Sequence, residues 1–223
     1  LLSLKGKRRL QEADVLVFDR LVNQELFQHL KSDCEKIDVG KKPGQPCIRQ
    51  EEIEKILIEK ARQGKRVVRL KSGDPYIFGR GGEEGVKLVE AGVDFEVVPG
   101  ITSAVAGLTY AGIPMTYRDV ATSFHVFTAH LKDETEMLNW EAISKLKGTL
   151  VFLMGMKNLP TIVQELTARG YGKDKPAAIV EWGTHPQQRS VDGTLGNIVE
   201  LAEAEDFKAP SVIVVGDVVA YRQ

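Results

Sequence analysis

Lys71-Ser72-Gly73-Asp74-Pro75-Tyr76-Ile77-Phe78-Gly79-Arg80-Gly81-Gly82-Glu83-Glu84 follows directly on the run RVVRL at residues 66–70 and leads into an amphipathic segment near residues 83–91. A strand that feeds a glycine-rich loop and then a helix is the repeating unit of a parallel, crossover-connected α/β sheet. Ligands of such sheets bind in the crevice beyond the carboxyl ends of the strands, which is where this loop falls. Gly73 lets the backbone come close to a ligand, Asp74 offers acceptor oxygens and Pro75 fixes the turn. An ordinary βα turn would use the same residues. Residues 78–84 are less ordinary, with three glycines around Arg80 and two acids at a helix start. They are not a dinucleotide fingerprint, because G-x-G-x-x-G would need glycine at position 84, nor a Walker A loop, because no G-K-[ST] follows. Glycines that bring the loop to a ligand, with Arg80 as a fork for a carboxylate, make a coherent site. For Glu84 the helix dipole is the preferred explanation.

Outward from this loop, β-rich runs alternate with helical ones. Residues 15–19 (VLVFD) have the character of a buried strand, and LVNQELFQHL has helical spacing at Leu21, Leu26 and Leu30. EKIDVG reads as a second strand. Residues 50–63 predict a helix, with Ile53, Ile56, Leu57 and Ala61 on one stripe and Gly64 as its stop. The strand FEVVPG and the small-residue helix TSAVAGLTYAG follow. After residues 113–119 (IPMTYRD) come the strands FHVFTA, TLVFLMG, AAIVEW, QRSVDGTL and SVIVVGDV, with helices near residues 138–146 and 159–169. QRSVDGTL alternates and lies a short loop after AAIVEW, which predicts an antiparallel hairpin. The expected organisation is an α/β fold of two domains, residues 1–116 with a mostly parallel sheet and residues 117–223 with a mixed sheet.

Bulk properties exclude several classes. The 223 residues carry a formal net charge of −1, with 43% hydrophobic and 27% charged residues. No global field would attract nucleic acid or an anionic membrane, so an anionic ligand needs a local cluster of cations. The apolar runs are too short to span a bilayer, and no signal peptide is visible. Cys34 and Cys47 lack metal-ligand spacing and read as free thiols of a reducing cytosol. His29, His125, His130 and His185 show no metal spacing either, so no metal is expected.

The pattern K-[GS]-G-D-P-x-I-F-G-R-G-G-E-E at 71–84 resembles the central motif of the uroporphyrinogen-III methyltransferases, within the tetrapyrrole methylase superfamily. Other stretches match in order: VFDRLV at 17–22, VGKK at 39–42, VVPGITSA at 97–104, AGIPMTYRD at 111–119, VFLMGMK at 151–157 and VEWGTHPQQR at 180–189. The resemblance implies two α/β domains with the active site in the cleft between them, a homodimer, and a cytoplasmic setting. It implies methyl transfer from S-adenosylmethionine to carbons 2 and 7 of uroporphyrinogen III, with S-adenosylhomocysteine as product. A methylase of a later precorrin and a non-catalytic α/β binding module are the alternatives.

By the same resemblance, the cofactor is held by Ser72, Gly73, Asp74, Ile77, Thr102, Ser103, Met154 and Gly183. Asp19 is the proton acceptor and Lys41 the proton donor; as plain sequence, Asp19 could equally cap a following helix. Arg80, Glu83 and Arg118 face the substrate, a polyanion with eight carboxylates. The chain opens Leu1-Leu2-Ser3 without an initiator Met, and the resemblance places a strand and a G-x-G-P-G-D-P type of loop before Leu1.

Overall fold

The computed structural model describes residues 1–40, 48–129 and 138–223. They form two compact units, Leu1–Thr102 and Ser103–Gln223.

In the first unit, β1 (Val15–Phe18), β2 (Glu35–Asp38) and β3 (Val67–Leu70) make a parallel sheet in the order β2-β1-β3. The central strand β1 is buried along its whole length, as a strand covered on both faces must be. Leu16 and Phe18 face α1 (Leu4–Glu12) through Leu10, whereas Val15 and Val17 face Ile53 and Leu57 of α2 (Gln50–Arg62). Each fully buried aliphatic side chain of this kind contributes about 1.5–3 kcal/mol. The Ser3 hydroxyl caps α1 by accepting from the Gly6 amide at 3.1 Å. Gly64 ends α2 at φ +73°, where a side chain would be strained.

Two expectations fail locally. LVNQELFQHL makes only a 3-10 turn, Gln24–His29, and its cap is Asn23, which accepts from the Glu25 amide at 2.9 Å. Residues 95–100 (FEVVPG) join no ladder among the described residues. The Gly100 amide donates to Asp74, and the Glu96 carboxylate pairs with Lys5 and Arg9.

The second unit holds a mixed five-stranded sheet in the order β4-β5-β8-β6-β7. Its strands are β4 (Phe124–Thr128), β5 (Thr149–Leu153), β6 (Pro176–Glu181), β7 (Arg189–Thr194) and β8 (Ser211–Val215). β4 and β5 are parallel, and the expected hairpin of β6 and β7 is antiparallel. One face packs Leu150, Phe152, Ile179 and Ile213 against Ile162 and Leu166 of α6 (Leu159–Ala168) and Ile198 of α7 (Ile198–Ala204). The other packs Val151, Val180, Val212 and Val214 against Ala104 and Leu108 of α4 (Ser103–Tyr110). This packing draws α4 into the second unit, and the compact division falls at Thr102/Ser103. A single-turn helix α5 (Trp140–Ile143) adds Trp140 to the first of these faces, and α3 (Gly81–Glu90) completes the first unit. Among the described residues no helix is long and apolar enough to cross a membrane.

Candidate functional site

In the first unit the register pairs Phe18 with Leu70, so β1 and β3 end level and release Asp19 and Lys71 side by side. Asp19 does not cap a helix. Its Oδ2 accepts from Arg69 Nη2 at 3.0 Å, and its side chain keeps 32% of its exposure. Arg69 itself is only 13% exposed. Its Nε donates to Glu84 Oε1 at 3.2 Å, and its Nη1 reaches the carbonyls of Val17 and Leu70. Glu84 is buried at 6% and also accepts from Lys71 Nζ and from Gln50. It is thus the hub of a charged cluster under α3, and not merely an acid placed for the helix dipole. Burial pushes the Lys71 ammonium down from its ordinary value, Arg69 adds to that, and Glu84 opposes both. Arg69, Lys71 and Gln50 were not singled out from sequence. The available signal was a pair of cations two residues apart on a parallel strand, sharing one face and needing buried anions.

The loop after β3 is built around Pro75 and Asp74. Gly81 donates to the Pro75 carbonyl at 3.0 Å, and a Cβ at Gly81 would lie 2.6 Å from that oxygen. That glycine therefore serves close packing of the loop on itself, whereas Gly82 meets nothing within 4 Å. Asp74 Oδ1 accepts from the Tyr76 amide at 2.9 Å and Oδ2 from the Gly100 amide at 2.8 Å. Both carboxylate oxygens are thus engaged by backbone, which ties the 71–84 loop to the segment ending at Gly100. Ser72 is exposed, Ile77 is 42% exposed, and Thr102 is half-buried at the end of the unit.

Arg80 and Phe78 both take left-handed backbone, at φ 57° and 53°. Such conformations in side-chain-bearing residues concentrate at functional loops. The Arg80 guanidinium grips Glu83 through Nε at 2.9 Å and Nη2 at 2.6 Å, which raises its pKa further, and both side chains are 56% exposed. Lys41, like Lys42, lies outside the described residues.

In the second unit, Leu153 and Val180 both register with Val212 of the strand between them. β5 and β6 therefore release Met154 and Gly183 at the same end of the sheet. Met154 has φ 56° and is 49% exposed, an apolar side chain held in a costly conformation and turned out of the core. Gly183 approaches the backbone of Gly107 so closely that a Cβ would sit 2.8 Å from the Gly107 Cα. Ser103 is the exposed first residue of α4. Arg118 is exposed in a tight turn closed by the Tyr117–Ala121 bridge, and it makes no ion pair among the described residues.

Within the first unit, exposed Ile77 offers apolar surface near exposed Ser72, and within the second, exposed Met154 offers apolar surface at the end of β5. Among the described residues no group of three or more His, Cys, Asp or Glu side chains is placed to hold a metal.

The family model of the tetrapyrrole (corrin/porphyrin) methylases matches residues 1–199. The chain is 46% identical over 222 residues to the uroporphyrinogen-III C-methyltransferase of Priestia megaterium, covering 99% of this chain and 93% of that one. It is 48% identical to the siroheme synthase of Thiobacillus denitrificans, covering 100% of this chain and 47% of that protein, about half its length. Among solved structures it resembles the uroporphyrin-III C-methyl transferase of Thermus thermophilus complexed with S-adenyl homocysteine. That match has a TM-score of 0.82 at 37% identity, covering 99% of this chain and 93% of the other. A cobalt precorrin-4 methyltransferase matches with a TM-score of 0.87 at 26% identity, covering 98% and 90%.

Proposed function

The chain belongs to the tetrapyrrole methylase family, and from that premise we propose that it is a uroporphyrinogen-III C-methyltransferase, moving two methyl groups from S-adenosylmethionine to carbons 2 and 7 to give precorrin-2. The observation that carries the reading is Asp19: a carboxylate at the carboxyl end of the central parallel strand, anchored by Arg69 through one oxygen and not used as a helix cap. When bound, S-adenosylmethionine supplies an electrophilic methyl on a sulfonium. The pyrrole carbon is already nucleophilic through its ring nitrogen, so the protein's task is to align carbon, methyl and sulfur.

Asp19 then takes the proton whose loss restores ring conjugation, one proton leaving the ring for each methyl that arrives, and Lys41 is the proton donor that the family resemblance implies. Ser72, Gly73, Asp74, Ile77, Thr102, Ser103, Met154 and Gly183 hold the cofactor. Asp74 does so by shaping the loop, because its side-chain oxygens are already taken by backbone amides. Arg80, with Glu83, and Arg118 meet the substrate carboxylates, where bidentate guanidinium contacts favour planar anions. A cytoplasmic homodimer is part of the same proposal, resting on the family resemblance.

Incubation with uroporphyrinogen III and methyl-labelled S-adenosylmethionine tests it. Two labels per tetrapyrrole are expected, and absence of label in any tetrapyrrole overturns the assignment. Asp19→Asn should slow turnover while leaving S-adenosylhomocysteine binding intact. Light scattering tests the dimer.

A further inference from the structure

We propose that Arg69 and Glu84 are positioning residues for Asp19, joined in one buried chain that fixes the carboxylate of β1 from beneath α3. The proposal rests on the reading of Asp19 as proton acceptor. Four contacts engage all three guanidinium nitrogens of Arg69: Nη2 to Asp19 Oδ2 at 3.0 Å, Nε to Glu84 Oε1 at 3.2 Å, and Nη1 to the carbonyls of Leu70 at 3.2 Å and Val17 at 3.4 Å. Glu84 is fixed in turn by Lys71 Nζ at 3.2 and 3.3 Å from its two oxygens and by Gln50 Nε2 at 3.3 Å.

Exposure runs in one direction along this chain. Glu84, Lys71 and Arg69 keep 6%, 8% and 13% of their side-chain exposure, and Asp19 keeps 32%. Two cations and two anions taken out of water are a costly way to join a strand to a helix, and apolar residues would do it as well or better. What the charges add is orientation. Asp19 Oδ2 is held, while Oδ1 accepts nothing among the described residues and the side chain keeps 32% of its exposure. One anchored oxygen and one available oxygen is the arrangement of a base oriented by a second group.

The test uses the full chain with uroporphyrinogen III and S-adenosylmethionine, comparing E84Q, R69M, R69K, D19N and the double variant D19N/E84Q. E84Q is expected to lower kcat about tenfold, in the range found for groups that orient an acting residue, with the S-adenosylhomocysteine dissociation constant within about twofold of the parent. In the D19N background the same change should alter the residual rate by less than about twofold, since the residue it acts through is already lost. R69K, with one nitrogen in place of the fork, should fall between the parent and R69M. Should R69M not fold, R69K must still show the kcat loss without loss of S-adenosylhomocysteine affinity, and the same split decides the matter if D19N has no measurable rate. Equal losses from E84Q in both backgrounds, or losses in affinity matching those in kcat, overturn the proposal in favour of a purely structural cluster. A slow D19N beside a parent-like E84Q leaves the function standing and removes this inference. A parent-like D19N removes the Asp19 assignment itself, and the positioning role with it.

Discussion

The Asp74 carboxylate accepts the Gly100 amide at 2.8 Å across 26 residues of chain while its other oxygen accepts the Tyr76 amide at 2.9 Å. A Cβ at Gly100 would collide with the Gly73 carbonyl, so the two loops meet backbone to backbone and the carboxylate closes the contact. Asp74→Asn presents an NH2 group to one of two N–H donors and must release it. We expect S-adenosylhomocysteine to bind about tenfold more weakly, the equivalent of about 1.4 kcal/mol, by calorimetric titration. An unchanged affinity would mean that the clamp does not shape the cofactor loop.

Met154 combines φ 56° with 49% exposure at the end of β5. Asn tolerates left-handed backbone better than Met, and a residue that is 49% exposed gives up only part of its apolar surface. Met154→Asn should therefore raise the stability of the ligand-free protein by up to about 1 kcal/mol and weaken S-adenosylhomocysteine binding. Denaturant titration and calorimetry report the two effects separately. A fall in both would assign Met154 to the core.

Arg118 is exposed, and its guanidinium has no carboxylate partner among the described residues. Arg118→Ala should change stability by no more than about 0.5 kcal/mol and raise the KM for uroporphyrinogen III about tenfold. The S-adenosylhomocysteine dissociation constant should stay unchanged. Equal effects on both ligands would speak for a structural role.

Asp14 ties the starts of two strands together, accepting from Lys31 Nζ at 2.7 Å and from the Arg66 amide at 2.9 Å. These bonds, that from Lys31 first, hold its folded pKa below the ordinary 3.8. A carboxylate depressed in the folded state binds more protons when unfolded, so its stabilisation is present above that ordinary value and is lost as pH falls through the folded pKa. Asp14→Asn should melt below the parent at pH 7, and the two melting temperatures should converge on acidification. A constant gap down to strong acid would show that the bond, not the charge, matters.

Much of the fold could be read directly from the sequence, because it is local. The stripe Ile53, Ile56, Leu57 with Gly64 behind it specifies α2, and the apolar runs ending at Phe18 and Leu153 specify strands buried on both faces. The 71–84 motif, through its place after β3, also points to where the proposed ligand-binding residues lie. Tertiary structure decided the rest. FEVVPG has the composition of a strand, yet it joins no ladder among the described residues, and its Gly100 amide goes to Asp74, a contact whose spacing along the chain carries no periodic signal. Glu84 reads as a helix-start acid until β3 places Arg69 and Lys71 beneath it. Asp19 reads equally as a cap or a base from sequence, and only the fold brings Arg69 to one of its oxygens. Periodicity records which face a residue lies on. Which charge it meets there depends on the register of strands far apart in sequence, and only the folded chain sets that.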